Sequence, residues 1–506
     1  MSFFTKLFRF VLFSIALCSA TSALANITLP VVLSDGVVLQ RGMPIHIWGK
    51  AAPGEAVQVS FNKQSKSSSA DFAGRWHIYL MPEAAGGPFE LRVTGQNEIV
   101  LHDVLVGDVW VASGQSNMEY PMVGWNGTSK EAADEIPRAN HPTIHLLKVA
   151  HTYSEHPLDD LTPTKWMACT PDSVREFSAV AYFFAKEIAS HEKIPIGVIE
   201  SSWGGTVAEA WTSLDGLSSN PALMPIFAHR AHMMDHQIET DLVQPHEQEL
   251  KRQAREKGLP EPLFAWHPDP HSWEPAALYN AMIAPLTPLA IRGVIWYQGE
   301  SNSPLERAPH YGTLFETLVR DWRNHWAIGD FPFLYVQIAN FKSDELENWA
   351  TVREGQRQAL AVANTAMAVT IDIGNPNDVH PTDKLTVGSR LSLAARALSY
   401  GERIEYSGPM FREVTREGHG LRLWFDHAAT LQTGPRGLCG FEVAAEDDKF
   451  VPAQVKIDGS TIVVSNAAVD LPIHVRYAWE NSPECPFFNQ IGLPASPFTA
   501  SLALFH

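Results

Sequence analysis

The sequence predicts an α/β protein with a mostly parallel sheet covered by helices on both faces, flanked at each end by β-rich regions. Three observations predict it. Between about residues 104 and 400, near-continuous apolar runs alternate with amphipathic stretches, as buried parallel strands and their crossover helices do. Ahead of that stretch, short β-type runs are separated by Pro-Gly, Asn-Lys and Gly-Gly breaks, and after it strand-like runs return. At 506 residues the chain exceeds what one hydrophobic core ordinarily organises, so two or three domains are expected.

The elements follow in chain order. Lys6 and Arg9 precede an apolar run over residues 10–17, and Ala23-Leu24-Ala25 is a small-x-small cleavage site. Residues 1–25 therefore read as a signal peptide, which predicts a secreted or periplasmic protein whose mature chain begins at Asn26. The run is too short to span a bilayer, Leu17 before Cys18 fits a lipoprotein site poorly, and no later segment reads as a membrane anchor. Residues 26–103 read as a small β-sandwich, with 65–69 as a hairpin tip or loop. Residues 104–400 read as the α/β domain. Its strands are expected at 104–112, 196–200, 293–297, 333–339 and 366–373, and its helices at 177–191, 277–286, 311–326, 351–362 and 384–399. Within it, about 213–275 loosens into His-, Pro- and charge-rich sequence, read as an insertion forming a lid or wall of the cleft. Residues 401–506 read as a second β-rich domain.

Composition narrows the function. Apolar residues make up 45% and charged residues 19%, ordinary for a globular protein. The net charge of −18 argues against a nucleic-acid partner, because a phosphate backbone would be repelled, and is compatible with neutral polysaccharide. Beyond the signal segment three cysteines remain, Cys169, Cys439 and Cys485. An odd number in an oxidising compartment allows one disulfide and one free thiol, with Cys439 and Cys485 a candidate pair. The oligomeric state is left open.

Four expected strand ends carry residues suited to chemistry. The first is Ser113-Gly-Gln-Ser116-Asn-Met-Glu119, where a serine on a tight turn can project above a sheet; Met118 stands where the common Gly-x-Ser-x-Gly elbow has its second glycine. The second, Trp203-Gly204-Gly205-Thr206 with Glu209 and Trp211, offers backbone N–H groups that can approach a ligand closely. The third is Trp296-Tyr297-Gln298-Gly299-Glu300-Ser301-Asn302, where Gln298 and Asn302 are donors toward developing negative charge. The fourth, Asn377-Asp378-Val379-His380-Pro381, presents a carboxylate and an imidazole on one loop, as a serine needs a positioned base and the base an orienting acceptor. Each segment alone has an ordinary reading as a turn or surface loop. Together they supply nucleophile, base, orienter and anion donors where ligands bind in open parallel sheets.

As a set, these segments resemble the SGNH hydrolases, and within them the sialate O-acetylesterase-like carbohydrate esterases. The resemblance extends to Tyr279-Asn-Ala-Met-Ile-Ala-Pro285, Val475-Arg-Tyr-Ala-Trp479 and Gly492-Leu-Pro-Ala-Ser-Pro-Phe498. It implies a flavodoxin-like catalytic domain with accessory β-domains, and cofactor- and metal-independent removal of O-acetyl groups from carbohydrates. Carried over by position, Ser116 is the nucleophile and His380 the base. The oxyanion donors are then the N–H of Ser116, that of Gly205 in preference to Gly204, and the Gln298 side chain, with Asn302 as the fallback. The superfamily places its acid three residues before the histidine, where this chain has Asn377. Asp378 is the acid expected instead, with a backbone carbonyl as the other orienter. Trp203, Trp296, Glu300 and Asn302 are candidates to bind the sugar, and Trp211 and Tyr297 are further candidates for its walls. Sialic acid and plant cell-wall polysaccharides such as xyloglucan or xylan are both admissible substrates. Two rival readings are a catalytically silent carbohydrate-binding protein on the same fold and a metal site built from His267, Asp269 and His271, whose Pro-rich loop lacks regular ligand geometry.

Overall fold

The computed structural model describes residues 26–262, 269–343 and 345–503, so the expected signal segment lies outside the described residues. The N-terminal strands are β1 (Val38–Gln40), β2 (Ile45–Lys50), β3 (Ala56–Phe61), β4 (Gln64–Ser69), β5 (Arg75–Leu80), β6 (Gly86–Thr94) and β7 (Glu98–Gly114). Alternation decides their faces: Val57, Val59 and Phe61 of β3 and Trp76, Ile78 and Leu80 of β5 point inward between polar neighbours. An antiparallel β2–β5 pair packs on the set β4–β3–β6–β7. The segment expected as a loop at 65–69 is strand β4. It pairs with β3 along the sheet edge with no side chain buried, so it carries none of the apolar alternation that marks a strand.

Strand β7 joins two architectures. Its first half pairs antiparallel with β6, and its second half is the middle of a parallel sheet. The domain boundary expected between 103 and 104 falls inside this one strand. The sheet continues through β8 (His141–Lys148), β9 (Met167–Cys169), β10 (Ile196–Ser202), β11 (Gly293–Tyr297), β12 (Phe333–Val336) and β13 (Thr365–Ala368), in the order β13-β12-β11-β7-β10-β8-β9. All neighbours along it are parallel except β9, which pairs antiparallel with β8. With β7 as first strand and β10 as second, β10-β7-β11-β12-β13 is the flavodoxin-like order 2-1-3-4-5, with β8 and β9 added beyond β10. Strands β10 to β12 are buried along their whole length, which explains their continuous apolar runs.

The helices Ala179–Glu192 and Lys384–Tyr400 pack on each other, as do Tyr311–Trp326 and Trp349–Gln358. In the expected insertion lie the helices Leu214–Ser219 and Met224–Glu256. The C-terminal strands form a second core, with Leu423, Phe441, Ile462, Tyr477 and Phe498 at its centre, and the disulfide Cys439–Cys485 lies beside it. Cys169 is a buried free thiol. Arg353 ties this region to the sheet: its guanidinium, buried in the helix Trp349–Gln358, donates to the carbonyls of Ile338, Ala339, Glu480 and Asn481.

Candidate active site

Strands β7, β10 and β11 end side by side where the strand order reverses about β7, the place where a doubly wound sheet opens a crevice. Gly114 ends β7 with φ +136°, and a Cβ there would lie 2.1 Å from the Tyr297 carbonyl oxygen. Only glycine tolerates that approach. The Gln115 N–H then donates to the same carbonyl at 2.9 Å, and the chain turns into the short helix Ser116–Glu119. After β10, the Trp203 N–H donates to the Gly114 carbonyl, and the glycine turn folds back over Ser116. A Cβ on Gly204 would sit 3.3 Å from Ser116 Cβ, and Gly205 adopts φ +75°.

His380 arrives from the loop after β13. Its Nε2 lies 2.9 Å from Ser116 Oγ, the geometry of a base poised on a hydroxyl. Asp378 is placed differently from the expectation. Its Oδ1 is 3.9 Å from His380 Nδ1, beyond hydrogen-bond reach, and accepts instead from the His380 backbone N–H at 2.9 Å. With a single residue between them, the carboxylate closes a local turn on the backbone more readily than it reaches round to the ring. The imidazole is packed edge-on by Trp125, with ring centroids 4.9 Å apart. Burial, then the charge of Lys384, push its pKa down to about 4 against an opposing pull from Asp378. A protonated imidazole cannot accept the serine proton, so activity should be lost as pH falls through the folded-state value. The acid limb of kcat/KM for an aryl acetate is expected near pH 4, well below the roughly 6.5 of free histidine, and a pH–rate profile measures it.

Gln298 does not face the serine. It is fully buried, and its Nε2 donates to Asn302 Oδ1 (2.6 Å) and to the Thr206 carbonyl (3.3 Å). Asn302 is likewise turned inward, donating to Glu209 and accepting from the Ala208 N–H. Glu209 pairs at 2.8 Å with Arg307, whose guanidinium lies over the Trp273 ring, and Trp273 Nε1 donates to the Gly205 carbonyl. The two amides therefore belong to a buried network that holds the glycine turn from behind. Trp296 is also corrected: it is fully buried among Trp211, Phe315, Trp322 and Phe333 and cannot touch a sugar. The same burial removes Trp211 and Tyr297 from any wall. On β11, a strand covered on both faces, aromatic residues are core residues.

The cleft holds about 700 Å³ and its lining includes Ser116, His380, Gly204, Gly205 and Gln115, with Trp125, Trp203, Trp273, Phe341 and Trp349 as aromatic surfaces. Trp203 stacks flat on His151 at 4.5 Å. Glu119 joins His151 (3.0 Å) to the Gly204 N–H (2.6 Å); burial raises its pKa, but these contacts outweigh it and keep the carboxylate ionised. Gln115 Oε1 accepts from the N–H groups of Gly299 and Ser301, which fixes the amide and leaves its Nε2 protons uncommitted by those contacts. Glu300 lies in the cleft floor, 7% exposed, its pKa raised by burial. Of these residues, Glu119 and Gln115 were reachable from sequence, lying in the same turn as Ser116. Trp125 and His151 stand in irregular segments and Trp273 ends the 3-10 helix Pro270–Trp273, where nothing in the sequence marks them. His267, of the rival metal site, lies outside the described residues, and Asp269 spends Oδ1 on the His271 N–H.

Known proteins resemble this chain over nearly its whole length. A family model described as "Carbohydrate esterase, sialic acid-specific acetylesterase" matches residues 264–397, the span that includes the ends of β11 and β13. The chain is 31% identical to the mouse sialate O-acetylesterase, covering 90% of this chain and 91% of that one. The chain belongs to the sialate O-acetylesterase family. The human sialate O-acetylesterase is 29% identical over 92% of this chain and 91% of its own. A crystal structure described as a novel carbohydrate acetylesterase from Xanthomonas citri superposes with a TM-score of 0.81 at 38% identity, covering 94% of this chain and all of that one. This member of the sialate O-acetylesterase family is thus a carbohydrate O-acetylesterase, built as an α/β sheet with additional β-sheet regions. Among its described residues, no helix is long and apolar enough to cross a membrane.

Proposed function

We propose that the protein hydrolyses acetyl esters on neutral, acetylated glycans of the xyloglucan or xylan type through an acetyl-Ser116 intermediate. The observation that carries the mechanism is the 2.9 Å contact between His380 Nε2 and Ser116 Oγ beside a glycine turn. His380 takes the serine proton, Ser116 Oγ attacks the acetyl carbonyl, and the sugar hydroxyl leaves with the proton from His380. Water then attacks the acetyl-serine by the same route. The oxyanion donors are the N–H groups of Ser116 and Gly205, since the Gly204 N–H is already held by Glu119. Gln115 Nε2, on the rim of the same turn, replaces Gln298 as the third donor. Asp378 shapes the loop that presents His380.

The charge of the cleft supports a neutral sugar. Its lining includes Glu119, Glu300 and Glu347, no lysine or arginine among the described residues, and a His151 already paired with Glu119. A sialic acid brings a carboxylate against that lining with no described lysine or arginine of the lining to pair with it, whereas Trp125, Trp203 and Trp273 give the cleft aromatic rings against which any pyranose can pack. The names of the relatives favour a second reading, an O-acetylated sialic acid. Acetate release from acetylated xyloglucan, acetylated xylan and 9-O-acetyl sialosides separates the two. A kcat/KM at least about tenfold higher on the neutral oligosaccharides is expected, and preference for the sialoside would reverse the assignment. The basic and apolar character of the first 17 residues supports export from the cytoplasm.

A further inference from the structure

His380 stays over Ser116 although the Asp378 carboxylate lies beyond hydrogen-bond reach of its Nδ1. Next to this pair lies a buried polar unit that the proposed chemistry does not use. Asn117, 1% exposed, follows the serine in the same turn. Its Nδ2 donates to the Val379 carbonyl (2.9 Å) and to Glu300 Oε1 (2.6 Å), and its Oδ1 accepts from Lys384 Nζ (2.5 Å). Val379 immediately precedes His380, so one side-chain amide joins the turn carrying the serine to the loop carrying the base. Lys384, 2% exposed, begins the helix Lys384–Tyr400 and lies 4.8 Å from the Tyr120 ring centre and 5.5 Å from that of Tyr297. A buried ammonium costs stability unless it is compensated, and a methionine would fill similar space without that cost. Its presence here calls for a use of the charge.

We propose that Lys384, acting through Asn117 and Glu300, is a positioning residue that holds His380 over Ser116 and keeps its imidazole ready to accept a proton. It supplies the orientation that a carboxylate on Nδ1 gives in a triad, without that carboxylate's stabilisation of the imidazolium, and it rests on the Ser116–His380 reading above. The titratable groups around the pair are Asp378 and Asp383 from the His380 loop, Glu300 and Tyr297 from the end of β11, and Tyr120 from the turn after Ser116. Burial pushes Lys384 down to about 7 against the pull of Glu300, Asp378 and Asp383. The ammonium is therefore charged below neutrality, where a free imidazole would begin to protonate, and its field opposes that protonation.

Two variants of the full protein separate charge from hydrogen bonding, each checked for folding by circular dichroism and assayed with 4-nitrophenyl acetate. Lys384→Gln can still donate to Asn117 Oδ1 but has no charge. Its acid limb of kcat/KM should move up by about one pH unit or more, with KM changed less than about twofold. Lys384→Met loses both, and should also lower kcat about tenfold or more at pH 7. A folded Lys384→Gln protein whose acid limb and kcat match the wild type overturns the proposal, because a merely structural lysine would leave both unmoved. Asp378→Asn decides the matter independently of how the lysine variants fold. A loss of less than about tenfold supports the relay, and a loss near a thousandfold assigns the orienting role to Asp378 and overturns it. Should Ser116→Ala retain full activity, the underlying serine reading fails, whatever the lysine variants do.

Discussion

Replacing Ser116 by alanine should lower kcat/KM for acetylated oligosaccharides and for an aryl acetate by about 10⁴-fold or more, with the fold intact. The size follows from what is lost. On the proposed mechanism Ser116 Oγ forms the covalent bond to the acetyl carbon, and His380 beside it cannot act as base on a missing hydroxyl. The substitution removes one oxygen from a side chain that is only partly buried, so little packing goes with it. Steady-state kinetics on purified protein with a matching circular dichroism spectrum measure it. Residual activity within tenfold of wild type would place the nucleophile elsewhere.

The second large effect belongs to the base. His380→Gln should cost about 10³-fold or more in kcat with a smaller change in KM, because the imidazole acts in proton transfer more than in holding the sugar. On the proposed mechanism serine and histidine act as one unit, so the double variant Ser116→Ala/His380→Gln should be no worse than Ser116→Ala alone. Additive losses would mean that the two side chains work at separate steps. The cleft geometry argues against that, since a 2.9 Å contact couples them directly.

Much of the architecture was legible because its physics is local and repetitive. Strands buried on both faces, such as β11, announce themselves as apolar runs, and the helix Tyr311–Trp326 as a 3.6-residue pattern closed by a residue in the left-handed region. Strand β4 was illegible because an exposed edge strand buries nothing, and β8 begins with His141-Pro142 and carries a buried His145 that blurs its pattern. The placement of Ser116, Gly205 and His380 at strand ends could be read from where the elements stop. The aim of side chains could not. Gln298 and Asn302 offer the right donors in the right segment, yet both are spent on Thr206, Glu209 and each other, a matter of long-range packing. The same holds for Asp378, two residues from His380 by sequence and 3.9 Å from its Nδ1 in space. In the other direction, Lys384 reads in sequence as an ordinary helix start, and only the fold brings it onto Asn117.

The central claim is that Ser116 carries the acetyl group from the sugar oxygen to water. The most direct measurement is to mix enzyme with excess 4-nitrophenyl acetate, quench in acid within the first turnover, and map the peptides by mass spectrometry. The account predicts one added acetyl group on the peptide containing Ser116, absent in Ser116→Ala and lost on longer incubation after substrate is exhausted. An acetyl group trapped on another residue, or release of both products with no acetylated enzyme at any time while single-turnover kinetics show two steps, would contradict it.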